Sequence, residues 1–237
     1  MIFLNVCVFI LSLTPIGFCQ NVLFKAKKLQ THEGKIQYSG AVGNTLEKSR
    51  LFCYIQCMTN LKCLTFFYNG ISQKCVLHSK TFHFQGPDQN EQGWIVYFLE
   101  DARSRCHYDS NGFLLYRELN LCYNFNTAGQ IDYSGFIKPT CSLYGGALVK
   151  INTQEKQTYI SYALEGRTII RVAIQGHSSN TDDVWTYDDG TPLAYTNWRP
   201  LEPQPGEWYL QLFTNDEWTD QNNFRPEYSC IYICEIV

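Results

Sequence analysis

Residues 188–220 read DDGTPLAYTNWRPLEPQPGEWYLQLFTNDEWTD, a stretch without helical period that carries Pro, Gly, Asp and Asn wherever a chain must turn. From Asp182 to Asp220 there are nine acids, Asp182, Asp183, Asp188, Asp189, Glu202, Glu207, Asp216, Glu217 and Asp220, against one base, Arg199. The local charge is −8, while the rest of the chain carries +5. Crowding of one sign on adjoining loops is repulsive unless a cation or solvent screens it. Calcium suits such a place, because it takes six to eight oxygens from carboxylates, amides, carbonyls and water on irregular loops. For Asp182, Asp183, Asp216 and Glu217 a solvated loop surface is the preferred reading. Trp185, Trp198, Trp208 and Trp218, four of the five tryptophans, lie in the same region.

Upstream of these loops the pattern is regular. Tyr133 to Tyr144 is helix-like and carries Cys141, and Gly145-Gly146-Ala147-Leu148-Val149 turns at once into a strand. A second helix begins after Asn152, whose side chain can cap while Glu155 reaches back, with Ile160, Ala163 and Leu164 as its buried stripe. Downstream, Tyr228 to Glu235 is strand-like and carries Cys230 and Cys234.

Taken in order, Cys141 with GGALVKI, then DDGTPLAYTNW, EPQ, EWTD and YICE, the segment 106–237 resembles a C-type lectin-like domain in its long form. The resemblance implies Cys106 with Cys122 as the extra N-terminal disulfide and Cys141 with Cys234 joining first helix to last strand. In sugar-binding members an E-P-N or Q-P-D triplet, a following Glu and the Asn and Asp of Trp-Asn-Asp ligate calcium, and a sugar diol completes the shell. Here Glu202, Gln204, Glu207, Thr219 and Asp220 hold those places, with Pro203 as the central, cis proline. Two of them depart: Gln204 sets its carbonyl one methylene further out than Asn, and Thr219 offers a hydroxyl in place of an amide oxygen. Trp198 and Trp218 match core positions, leaving Trp208, and less strongly Tyr187 and Tyr209, as faces for a pyranose. The family's third disulfide is missing, with Tyr209 standing near its first place. Cys230 is then the odd thiol, either buried and inert or available for an intermolecular bond that would make a homo-oligomer.

The N-terminal half has its own framework. Asn44 followed by Glu47 is a capping pair for a helix running from Lys48 toward Met58, which puts Cys53 and Cys57 on one face. Cys63 to Tyr68 and Cys75 to His78 read as strands joined by a loop opening at Asn69-Gly70. Of three connectivities, Cys53–Cys75 with Cys57–Cys63 is the simplest; a zinc site is the alternative. The run LFCYIQCMTNLKCLTFFYNGISQKCVLHSK, 51–80, resembles the core of a PAN/apple domain, and the resemblance implies an interaction module over 20–100 that binds proteins or carbohydrates. His78 and His83 read as ordinary strand histidines.

Residues 1–19 hold no charged side chain and an apolar run from Ile2 to Leu13, the pattern of a signal peptide, too short for a membrane span. With Cys7 and Cys19 removed, nine cysteines remain, a number at home in a secreted, extracellular chain. The densest basic cluster is Lys25, Lys27 and Lys28, so nucleic acid is excluded as a partner. There is no G-x-S-x-G, no H-E-x-x-H and no Cys/His constellation outside the disulfide framework, so the chain reads as a binding protein and not an enzyme. The expected architecture is α+β, two disulfide-stapled domains: a helix-on-sheet module, then a lectin-like fold that binds glycans or glycoproteins, with calcium at the loop site, or else binds protein without it.

Overall fold

The computed structural model describes residues 24–101, 106, 112–178 and 184–236. Residues 1–19, read above as a signal peptide, with Cys7 and Cys19, and the acids Asp182 and Asp183 lie outside the described residues. The chain divides into two compact units. The first takes 24–81, 87–101, Cys106 and 114–118, and the second takes 82–86, 112–113, 119–178 and 184–236. No helix among the described residues is long and apolar enough to cross a membrane.

In the first unit, strands β1 (Phe24–Lys28), β2 (Gly43–Leu46), β3 (Thr65–Asn69), β4 (Lys74–His78) and β5 (Trp94–Asp101) form an antiparallel sheet in the order β1-β5-β3-β4-β2. Helix α1 (Arg50–Thr59) buries Cys53, Tyr54, Cys57 and Met58, residues spaced by three and four, so that one stripe faces the core. Cys53 is bonded to Cys75 of β4 and Cys57 to Cys63, which replaces the zinc alternative with two covalent staples. Phe66 and Tyr97 stack at 5.0 Å within the same core.

The helix starts later than its sequence suggests. Asn44 does not cap it; it sits in β2 opposite Val76, and Glu47 N–H donates to Gln73 O at 2.7 Å. Backbone pairing with β4 satisfies this segment before any cap can form, and the N-cap falls to Ser49. Glu47 instead accepts from Gln56 Nε2 at 3.1 Å. The end of α1 is closed by a distant residue: the Arg117 guanidinium donates to the carbonyls of Cys57, Met58, Asn60 and Cys63. A cation there satisfies carbonyls that a helix C-terminus leaves without partners and meets its partial negative charge. At the Asn69-Gly70 loop, Asn69 Oδ1 accepts from the N–H groups of Ile71 and Ser72, which fixes the turn between β3 and β4. His78 is fully buried in β4 with Nε2 2.7 Å from Gln37 O, and burial pushes its imidazole down to about 4. It is a structural group. His83 lies not in a strand but in the 82–86 segment of the second unit.

The second unit is built on β6 (Leu121–Ala128), α2 (Lys138–Leu143), α3 (Gln154–Ala163), β7 (Val172–Ser178), β8 (Tyr209–Leu212), β9 (Trp218–Gln221) and β10 (Cys230–Ile236). Its strands run in the order β9-β8-β7-β10-β6; β7 and β10 are parallel and the other neighbours antiparallel. Asp132 accepts from Gly135 N–H to open a wide helical turn, Tyr133–Ile137, that runs into α2. Cys141 of α2 is bonded to Cys234 of β10, and Cys106 and Cys122 are each disulfide-bonded too. The short strand Ala147–Leu148 pairs with β10, and a Cβ at Gly146 would stand 2.3 Å from Glu235 O, so only glycine permits this approach. The cap of α3 is Thr153, whose hydroxyl accepts from Lys156 N–H, and not Asn152 with Glu155. Thr153 holds the extended backbone that an N-cap requires, one residue further along than the sequence suggests.

Cys230 is free and buried, and desolvation pushes its thiol up to about 12. A thiol inside the core and protonated at neutral pH is no route to an intermolecular disulfide.

Candidate functional site

The loops between β7 and β9 place the acids against cations from elsewhere in the fold. Lys138 of α2 meets Asp188 at 2.6 Å and Lys150 meets Asp189 at 2.8 Å. Arg167 meets Asp216 at 2.6 Å and Arg225 meets Glu207 at 3.0 Å, while Arg199 reaches Glu202 at 3.3 Å. Five of the seven acids among the described residues are thus countered by side chains of the protein itself. The repulsion that made a bound cation attractive in the sequence is relieved without one. The Lys150 ammonium and a Thr191 bond hold the Asp189 carboxyl well below the usual range.

Among the five residues assigned to calcium, the structure brings three together. Glu202 and Asp220 have side chains only 5% and residue exposure of 3%, respectively, and the Glu202–Pro203 bond is cis. Gln204 bridges them: its backbone N–H donates to Asp220 Oδ2 at 2.7 Å and its Nε2 to Glu202 Oε1 at 3.3 Å. The remaining two are turned to other work. Glu207 is held by Arg225, and Thr219 Oγ1 accepts from Gln211 Nε2 at 3.0 Å on the adjacent strand. Strand alternation explains the second case, because Thr219 and Asp220 are neighbours on β9 and point to opposite faces. Glu202 Oε2 and Asp220 Oδ1 are buried oxygens that could serve a cation. Two carboxylates and one amide are nevertheless far short of a calcium shell. No cluster of three or more His, Cys, Asp or Glu among the described residues is placed to hold a metal ion. The donor set does not fit calcium.

What the two carboxyls do fit is a proton. Burial, then a side-chain hydrogen bond to Glu202, raises Asp220 to about 7, since two carboxylates taken out of water side by side cannot both ionise cheaply. The folded state holds a proton that the unfolded chain, with Asp ionising near 4, releases between about pH 4 and pH 7. This contribution is complete below about pH 4 and is lost as pH rises through about 7. The unfolding temperature of the wild type minus that of Asp220→Asn, measured by circular dichroism, is therefore expected to fall from pH 4 to pH 8. A flat difference would mean that the pair shares no proton.

The aromatic candidates separate. Trp208 is 43% exposed and free to offer a face. Tyr187 is 1% exposed, donates its hydroxyl to Ile151 O at 2.9 Å and lies under the Lys150 ammonium, so it is core and not a stacking surface. Tyr209 is half-buried, stacked on Tyr133 at 4.7 Å with Lys138 5.3 Å from its ring, so part of its surface is already covered. Trp218 is fully buried and Trp198 packs edge-on against it and against Trp185. The countering cations Lys138, Lys150, Arg167 and Arg225 were outside the sequence reading; the only signal for them was the +5 carried by the rest of the chain.

Residues 137–236 match the family model of the Lectin C-type domain. Over 86 residues the chain is 30% identical to the secretory phospholipase A2 receptor of Oryctolagus cuniculus, a match covering 35% of this chain and 6% of that receptor. The chain therefore spans a small fraction of that relative's length. Among solved structures, the human scavenger receptor C-type lectin carbohydrate-recognition domain is 29% identical, with a TM-score of 0.41 over 48% of this chain and 89% of that one. A calcium-independent type II antifreeze protein is 24% identical, also with a TM-score of 0.41, over 48% of this chain and 85% of that one. The likeness to the Lectin C-type domain thus covers residues 137–236 of the chain.

Proposed function

We propose that the C-type lectin domain of this chain binds carbohydrate on glycoproteins outside the cell, and does so without calcium. The observation that carries the reading is the side-chain pairing at the long loops, where Glu207 is bound to Arg225, Thr219 to Gln211, and Glu202 and Asp220 to Gln204 and each other. A domain of the lectin kind with its loop acids internally neutralised keeps a surface for recognition and loses the cage for the ion. An extracellular setting agrees with the disulfides of both units and with the leader-like segment 1–19. The first unit, with one helix stapled to an antiparallel sheet by Cys53–Cys75, is read as an apple-like module over 20–100 that adds a second contact and so raises avidity.

The test is binding of the secreted chain to a panel of immobilised glycans in calcium and again in EDTA. The same glycans are expected to be bound in both. Binding lost in EDTA would refute calcium independence, and silence in both buffers would favour a protein ligand. For that second reading the supporting observation is the exposure of Leu201 and Trp208 on the loop that precedes β8.

A further inference from the structure

Away from the loop acids, the second unit has an open pocket of about 330 Å³ lined by His83, Phe84, Phe125, Asn126, Thr127 and Tyr232. It lies on the far part of the sheet: Phe125, Asn126 and Thr127 belong to β6, four strands removed from β9 and Asp220, and Tyr232 of β10 stands opposite Asn126. Three rings make a corner. Phe84 meets Phe125 edge-on at 5.0 Å and His83 edge-on at 4.7 Å, and His83 lies tilted over Phe125 at 5.5 Å. Rings set at steep angles present faces and edges in one small volume, and a ring's negative face attracts polarised C–H groups. Beside them stand an amide and a hydroxyl. Asn126 Nδ2 is anchored on Asn124 Oδ1 at 2.8 Å, which fixes the amide in place, and Thr127 is exposed.

We propose that this cavity is a binding site for one neutral pyranose ring of a glycan, taken on the β6 and β10 side of the lectin domain and not at its long loops. The inference rests on the carbohydrate-binding reading above and assigns it a place. Among the described residues the lining contains no Asp, Glu, Lys or Arg, and so nothing to pair with a phosphate, carboxylate or ammonium. The aromatic surroundings desolvate the His83 imidazole and lower its pKa, which keeps the lining neutral at physiological pH. The volume is at the lower end for ligand pockets, which suits a single ring. A sugar supplies what the lining lacks: a C–H face for the rings and hydroxyls for the Asn126 amide and the Thr127 hydroxyl.

The experiment titrates the full secreted chain with the methyl glycosides of mannose, galactose, glucose and N-acetylglucosamine, following the His83 ring signals by NMR. Two variants accompany it: Phe84→Ala removes one wall, and Thr127→Trp fills the cavity from an exposed strand position. At least one glycoside is expected to shift His83, and each variant to weaken that glycoside at least tenfold, with Trp208→Ala leaving it unchanged. If Phe84→Ala fails to fold, Thr127→Trp alone decides. Glycan binding indifferent to Thr127→Trp, or abolished by Trp208→Ala, would overturn the assignment and leave the function intact. A wild type that binds neither the glycosides nor the glycan panel would overturn both.

Discussion

Replacing Cys141 and Cys234 together by alanine is expected to lower the stability of the lectin domain by about 4 to 5 kcal/mol. The two residues are 93 apart in sequence and both fully buried. A crosslink closing so long a loop removes much entropy from the unfolded chain, and the chain-entropy relation gives about 4 to 5 kcal/mol for this length. The bond is also well placed. It ties α2 to β10, the strand that pairs with β7 on one side and β6 on the other and also receives Ala147–Leu148. Since domains are stable by only about 5 to 15 kcal/mol, most of the margin is removed. Cys57–Cys63, separated by six residues, closes a loop for which the same relation gives about 2 kcal/mol. Urea unfolding followed by near-ultraviolet circular dichroism checks both figures. A loss under about 1 kcal/mol for the long bond would mean that the fold is held elsewhere.

Trp218→Ala is expected to cost about 3 to 5 kcal/mol, the range for removing a large buried aromatic. Trp218 is fully buried, and its indole N–H donates to Gln157 Oε1 of α3 at 2.8 Å. Its ring meets Trp198 and Tyr195 edge-on at 6.0 Å and 5.6 Å. Its backbone accepts from Arg199 N–H and donates to Asn197 O. The residue therefore joins a helix, a strand and the start of the acidic loop. Trp218→Phe keeps a ring but strands the Gln157 oxygen, itself nearly buried, at a cost of about 1 to 3 kcal/mol. Equal urea midpoints for the wild type and the Ala variant would contradict this role.

Much of the fold could be read from spacing, and the misreadings have a common physical cause. Cys53 and Cys57 at i and i+4 announce a helix face, and Cys141 with the glycine turn after it announces the entry to the lectin domain. Asn44 was misread because its local capping propensity was real but weaker than the backbone ladder that β2 makes with β4. Asn152 lost the cap of α3 to Thr153 for a similar reason, a one-residue choice settled by backbone conformation. At the candidate site, Glu202, Gln204 and Asp220 could be brought together from sequence because a loop motif and a strand motif carry them. Their neutralisation could not. Lys138, Lys150 and Arg167 precede the acids they meet by 39 to 50 residues, and nothing local marks a lysine as a future partner. Tyr187 and Tyr209 show the same limit, since an aromatic in a polar loop does not reveal whether its faces are already covered. The cavity under Phe125 was invisible for the same reason, because 83–84, 125–127 and 232 meet only in the folded chain.

The most direct measurement is the dissociation constant of the tightest-binding glycan, taken on one preparation of the protein in calcium and again after EDTA. With Glu207 paired to Arg225, and Glu202 and Asp220 held by Gln204 and by each other, the two constants are expected to agree within about twofold, roughly 0.4 kcal/mol. Weakening of tenfold or more on chelation would mean that Glu202 and Asp220 hold an ion in place of a proton, and would contradict the calcium-independent reading.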